Sequence, residues 1–571
     1  MNDSVPSLRP SGLFPPPMSP IERRRHLRDS EGAEGEMSLE HYLQCVEVYR
    51  STSITNRFPS PVKLEHLPFL ESVLRPLYPE VSSILHLHHL PGMKMYRCWR
   101  MTKPGYPRGD IPVDIFGVFL DGSSLNTSPL GPIKDQILNL FRRHNLNVHV
   151  EIANPKFCHR PSFFYIASDH PLVKAYDRVK DRIVAIITQS TGSDFNMICP
   201  FNVGPTAAKA QPKIVVLIDP WTIANWYELR LQTMSEVLPH MQVDNFDVEF
   251  LPGGFSVLNG GIPLMQKVKE EVPRMGSSIG IQGGRSAGTL GGFVTLTQRD
   301  VIHGDVVRRG FLTDYHVVRP SERPADNSHF LERLDRFGSS PERLDLEMVS
   351  RAGHQIKEWS LRQKTVQSMP YPLGEVKFVS GKEVRDGRVM NWAFVELSKD
   401  AGKFFGPNYM PSVPYEWEPY HWDPSRLPPL VLSSGEPLEE FVSLKEGDYC
   451  LKKGRSTGLA AGVVNGPKAY CNWETLRNTP SGRNGHIYSG PTEEFIILGA
   501  KPDGNDNSYP AFCKDGDSGS FVLSQWGEVS GLLWGGTSFQ QYNIGLASSM
   551  PDVLASIQEK VGGSVELSLP T

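Results

Sequence analysis

The sequence predicts a multidomain protein: an N-terminal α/β (α+β) module, then two antiparallel β-barrels followed by a C-terminal helix. Three observations predict it. The chain has 571 residues, room for about three or four domains. Its 48 prolines and 51 glycines require many turns and hence a large β component. From about Gly276 the pattern changes from alternating strand and helix to short alternating segments broken by glycine and proline.

Residues 1–38 are polar, charged and proline-rich, the composition of a disordered tail. They hold no apolar core of the length a signal peptide needs. Arg23, Arg24, Arg25 and Arg28 form a short basic run, which a solvated face explains better than a nuclear-import patch. No run of eighteen or more apolar residues occurs, so no membrane partner is expected. With 59 basic against 63 acidic residues, no nucleic-acid partner is expected either. Seven cysteines without tight spacing fit reduced thiols and a cytoplasmic address, with the nucleus as the alternative.

Residues 39–270 read as the α/β module. Strand "GVFLD" (Gly117 to Asp121), helix "GPIKDQILNLFRRH" and strand "NVHVE" (Asn147 to Glu151) form one βαβ pattern. "VVLID" (Val215 to Asp219), "WTIANWYELRLQTMSEVLPHM" and "NFDVE" (Asn245 to Glu249) form another. In both, thirty positions separate the closing Asp from the closing Glu. Only these short anchors match, so a repeat and two unrelated units both remain open. Neither unit carries the glycine-rich turn of a dinucleotide site, and no cofactor is expected. A regulatory or docking role, with a regulatory partner, is the expectation for this module. In "HLHHL", His86 and His88 would share one face of a strand, but no third or fourth ligand is apparent, so no metal is expected.

Residues 276–412 read as the first barrel, 413–430 as a proline-rich linker and 431–571 as the second barrel. "GGRSAGTLGGFVTLT" lacks the Gly-Lys-Ser/Thr ending of a phosphate loop and suits a strand entering a curved barrel. "GFLTDYHVV" (Gly310 to Val318) carries an apolar strand to His316. "FCKDGDSGSFVLSQWGEVSGLLWGG" (Phe512 to Gly536) places Ser518 in a glycine-flanked loop before two strands. "MPDVLASIQEK" puts Val553, Leu554 and Ile557 on one face of a closing helix.

"LTDYHVV", "GDSGS" and "GLLWGG", in that order, resemble the trypsin-like (chymotrypsin-fold) serine proteases over roughly the last half of the chain. The mixture with the long α/β front half looks most like uncharacterised intracellular proteins of filamentous fungi. The resemblance implies His316 as general base and Ser518 as nucleophile. The residues support those roles, because a serine hydroxyl needs a base and a neutral imidazole suits that near neutral pH. Backbone N–H groups of Gly516 and Ser518 would form the oxyanion hole. Trp534 and Gly535 would line the cleft, where a protein or peptide substrate adds as a strand. Phe512 would lie near the base of the primary pocket and favour small or hydrophobic side chains.

One position departs from the family. The triad acid should precede a short apolar strand, and in "RVMNWAFVEL" that position holds Asn391. Alternation puts Asn391, Ala393, Val395 and Leu397 inward, with Trp392, Phe394 and Glu396 outward. An amide in place of the acid lowers turnover by about ten-thousand-fold in the trypsin-like template. Asp386 and Asp345 are possible substitutes; Glu396 points the wrong way. Asp517 is expected to find an internal partner, so that the uncut chain has its final active-site shape. The expectation is an intracellular serine endopeptidase, with a catalytically inactive pseudoprotease scaffold as the alternative.

Overall fold

A computed structural model describes the chain outside residues 1–34, 55–61, 89, 91–92, 104–108, 110, 122–129, 160, 242–245, 259, 262–271, 282–285, 300–303, 320–344, 349–371, 413–434, 479–487, 501–510 and 538–541. The expected 413–430 linker and nearly all of the N-terminal tail lie outside the described residues. Two compact units result: Glu40–Thr102 with Ile111–His159, and Met37–Leu39 and Lys103–Asp110 with Arg160–Thr571. The division therefore falls inside the 39–270 stretch.

The first unit holds strand β1 (Lys63–His66), helix α1 (Tyr78–Leu87), β2 (Met93–Thr102), β3 (Val113–Asp121), α2 (Leu130–Arg143) and β4 (His149–Ala153). These four strands lie side by side in chain order, only β3 and β4 run parallel, and a fifth, Arg50–Thr52, adds antiparallel outside β4. Ile133, Ile137 and Phe141 of α2 are buried, as their helical spacing requires. His86 lies in α1 and not in a strand. Leu77, Val81 and Leu85, four residues apart, are buried on one face and set the helical period there.

The second unit begins with the same succession: β5 (Ser162–Phe164), α3 (Pro171–Thr191), β6 (Phe195–Gly204), β7 (Gln211–Ile218), α4 (Trp226–Val237) and β8 (Asp247–Pro252). Its strands again pair in chain order, and again only the last two are parallel. The registers coincide: Gly117 faces Glu151 in one unit and Val215 faces Glu249 in the other. The shared thirty-residue spacing thus produces the same strand pairing twice. Both glutamates are buried beside a cation, Glu151 on Arg50 at 2.9 Å and Glu249 on Lys213.

After two short strands, β9 (Phe255–Val257) and β10 (Gly260–Gly261), comes a wholly antiparallel sheet. It contains β11 (Ser278–Ile281), β12 (Ser286–Thr289), β13 (Gly292–Arg299), β14 (Val306–Thr313), β15 (Gly374–Val379) and β16 (Ala393–Leu397). The expected one-sided alternation around Asn391 does not hold, because Trp392 and Phe394 are also fully buried. The C-terminal helix covers their face, and the Trp392 indole donates to Ser556 at 2.8 Å.

The remaining strands are β17 (Tyr449–Gly454), β18 (Gly458–Val464), β19 (Ala469–Cys471), β20 (Thr492–Gly499), β21 (Phe521–Ser524), β22 (Val529–Thr537) and β23 (Ile544–Ser549). Strands β17, β18, β20, β23, β22 and β21 pair in a circle and close a six-stranded antiparallel barrel. Strand β19 pairs with β20 on one side and with β6 on the other, Tyr470 facing Ile198. One continuous sheet therefore joins β5–β8 to this barrel. Helix α5 (Met550–Val561) follows, and β24 (Ser564–Ser568) returns to β13. Val553 and Ile557 are buried as the sequence predicts, while Leu554 is partly buried against the same core. Among the described residues no helix is long and apolar enough to cross a membrane.

Candidate active site

Ser518 stands where the two β regions meet. Gly516 and Gly519 flank it at φ 93° and 91°, a conformation that side-chain-bearing residues rarely adopt. Close approach adds to this at Gly519, where a Cβ would collide with the Thr289 carbonyl and the Thr313 hydroxyl. The Thr289 amide donates to the Ser518 carbonyl at 2.8 Å, tying β12 to the Ser518 loop. The Ser518 hydroxyl donates to the Trp534 carbonyl at 3.0 Å.

His316 lies in the short helix Tyr315–Val318 that follows β14, and it is buried. Asn391 meets it twice. The Asn391 Oδ1 accepts from the His316 backbone N–H at 3.2 Å, so its Nδ2 faces the ring and approaches Nδ1 at 2.7 Å. Burial lowers the His316 pKa to about 4 despite the opposing pull of Asn391, so the ring is neutral near pH 7. A neutral ring that accepts at Nδ1 carries its proton on Nε2. That is the reverse of the tautomer a general base needs.

Of the two proposed substitutes, Asp386 does not reach this position, and the side chain of Asp345 lies outside what the structure describes. Asp386 sits in an exposed turn at φ 49° beside Arg385. Asp345 occupies a strand opposite Glu375. Glu396 pairs with Arg308 and Lys377. A further carboxyl, Asp314, lies two positions before His316 and was not among the expected substitutes. It is fully buried, and burial pushes its carboxyl well above the ordinary range although Gly519 and Ser518 pull it down. Among the described residues neither of its oxygens reaches hydrogen-bonding geometry. The signal was a charged residue directly after the run Gly310–Thr313 and before His316.

Asp517 has an internal cation. Lys452 of β17 binds it at 2.7 Å, with both side chains fully buried. Thr457 and the backbone N–H groups of Ser456, Thr457 and Lys514 also donate to it. Burial alone would raise this carboxyl, but Lys452 and the hydrogen bonds hold it below its ordinary value. The uncut chain therefore already holds the loop beside Ser518 in place.

The edge of β22 beside Ser518 is occupied by the chain itself. Strand β9 pairs antiparallel with β22: Phe255 faces Thr537, Ser256 faces Gly536 and Val257 faces Gly535. The next residue, Leu258, donates its N–H to the Trp534 carbonyl at 3.3 Å. Its carbonyl accepts from the Gly516 N–H at 2.9 Å. The buried Leu258 side chain clusters with Phe512, Cys513, Val522 and Leu533. Trp534 offers this edge its carbonyl, while its indole lies tilted against Trp473 in a separate core. Among the described residues no three His, Cys, Asp or Glu side chains gather as metal ligands.

Solved serine proteases resemble the chain over about half its length. Thermobifida fusca protease A aligns at 13% identity, covering 52% of this chain and 98% of its own, with a TM-score of 0.26. A glutamic-acid-specific serine protease aligns at 11% identity over 52% and 100%, TM-score 0.25. Cellulomonas bogoriensis chymotrypsin aligns at 13% over 52% and 98%, TM-score 0.24. No family model matches the sequence. No curated protein matches it either.

Proposed function

We propose that the chain is an intracellular serine endopeptidase of the chymotrypsin type, slowed by Asn391 and selective for an apolar residue before the cleaved bond. The observation that carries this reading is Leu258. It lies in extended backbone along β22 with its carbonyl on the Gly516 N–H and its side chain among Phe512, Cys513 and Leu533. Substrates bound by strand addition present these features. Seven free cysteines agree with a reducing compartment.

In this reading Ser518 attacks the carbonyl and His316 takes the hydroxyl proton. The Gly516 N–H steadies the oxyanion, and water then releases the acyl group. Asn391 hinders the second task, because the Nε2–H tautomer must give way before the ring can accept a proton. That same contact favours the second reading, an inactive fold that binds peptides as a scaffold.

Fluorophosphonate labelling separates the two. The probe is applied to the chain carrying Leu258→Asp, which removes the apolar anchor from the pocket. Labelling at Ser518 that disappears with Ser518→Ala and His316→Ala and quickens with Asn391→Asp supports the peptidase. Absence of labelling in every variant leaves the scaffold.

A further inference from the structure

We propose that Leu258, directly after strand β9, is a built-in pseudosubstrate that keeps the Ser518 site closed until it lifts from β22. The inference rests on the peptidase reading and adds its regulation. Three features that would receive a substrate are taken up by this one residue. Its carbonyl accepts from the Gly516 N–H at 2.9 Å, the donor assigned to the oxyanion. Its N–H donates at 3.3 Å to the Trp534 carbonyl, the oxygen that also accepts from the Ser518 hydroxyl at 3.0 Å. Its side chain, only 2% exposed, lies among Phe512, Cys513, Val522 and Leu533.

The preceding residues are anchored elsewhere. Phe255 packs edge-on against Trp473, ring centroids 4.8 Å apart, and Phe255 and Val257 belong to the core that joins β6 and β7 to the barrel. Just upstream, the Gly253 N–H donates to the Ile218 carbonyl at 3.0 Å, and the Gly253 carbonyl accepts from Asn196 at 3.3 Å. The segment is thus fastened over Gly253–Val257, while Leu258 enters a separate cluster at its far end. Gly536 leaves room for it there, because a Cβ would come within 3.3 Å of Leu258 Cδ2. Lifting Leu258 alone frees the Gly516 N–H and the apolar cluster. That suffices for a small acylating probe, whereas a peptide adding as a strand also needs β9 to peel from β22.

The balance between the closed and lifted states is set mainly by this one side chain. Burying a leucine favours the closed state by about ten- to a hundredfold. Tethering holds Leu258 beside the cluster at high effective concentration, so weak binding suffices. A ligand shifts the balance only as far as it prefers the lifted state. An extended peptide with an apolar residue for the same cluster has that preference, because the Gly516 N–H and the Trp534 carbonyl cannot serve it and Leu258 together. Closure by Leu258 is therefore competitive with substrate.

The test is the rate of fluorophosphonate labelling at Ser518 in the full-length chain, measured in the parent and in Asn391→Asp. In each background Leu258→Asp is expected to label about a hundredfold faster, and Leu258→Ala about tenfold faster, than the chain with Leu258. Leu258→Met refills the cluster and is expected to match the leucine. Leu444→Ala loosens the same cluster from outside β9 and is expected to leave the rate unchanged. Should Leu258→Asp fail to fold, Leu258→Ala carries the comparison. One labelling rate in all these chains overturns the closure and leaves the peptidase standing. Acceleration by Leu444→Ala as large as that by Leu258→Ala assigns the effect to loosened packing and also overturns the closure. Absence of labelling in every chain, Asn391→Asp included, overturns both readings.

Discussion

The Asn391 amide and the His316 imidazole meet at 2.7 Å between Nδ2 and Nδ1, and the Asn391 Oδ1 is already engaged by the His316 backbone. The orientation of one amide therefore decides which ring nitrogen carries the proton. A carboxylate at the same place would accept from both groups and reverse the tautomer.

Replacing Asn391 by Asp is expected to raise the rate of Ser518 labelling by up to about ten-thousand-fold. It should also move the acid limb. The parent His316 has its pKa lowered to about 4 by burial, so the ring stays neutral well into acid. A carboxylate neighbour raises that value. The labelling rate measured against pH should fall at higher pH in Asn391→Asp than in the parent; coincident limbs would refute this.

The same histidine affects stability. Unfolding frees it to bind a proton at its ordinary value of about 6.5, whereas the folded ring resists until about 4. The unfolded state binds more protons in that window, so stability is lost as pH falls from about 6.5 toward 4. Denaturant unfolding of the parent and His316→Phe over this range should show the parent falling more steeply.

Lys452→Met leaves Asp517 buried without its cation. Breaking one side of a buried pair costs about 3–5 kcal/mol. The double change Lys452→Met with Asp517→Asn should recover part of that, because no uncompensated charge remains. The folded pKa of Asp517 is depressed, so its contribution is present above the ordinary value and lost as pH falls through the folded one. Acid unfolding should accordingly flatten in the double variant.

Asp314 works in the opposite direction. Burial raises its folded pKa well above its ordinary value. Its contribution is full below the unfolded pKa and is lost as pH rises toward the folded one. Asp314→Asn cannot ionise, so its melting temperature should gain on the parent as pH rises above about 4. A constant gap between the two would show that the carboxyl is already ionised in the fold.

Gly519→Ala is expected to cost at least about 1–3 kcal/mol, from the strained φ alone. The collision with Thr289 and Thr313 adds to it. Thermal unfolding measures the loss, and an unchanged melting temperature would contradict the geometry.

What the sequence by itself determined is local. Glycines around Ser518, an apolar strand running into His316, Asn391 before another strand, and a helix with Val553 and Ile557 on one face are all set by neighbours within a turn or a loop. The two thirty-residue spacings also belong here, and both come out in the same register, Gly117 on Glu151 and Val215 on Glu249. Tertiary structure decided the rest. Lys452 lies 65 positions before Asp517, and Phe255–Val257 lies about 280 before the edge it covers. No periodicity names such partners, because a strand's side-chain pattern fixes which face it buries and not which distant strand it lies beside. The same holds for Trp392 and Phe394, whose alternation reads as outward until helix α5 arrives to bury them. The Asn391 amide was legible as a missing charge. Its direction followed only from the backbone N–H that it meets in the fold.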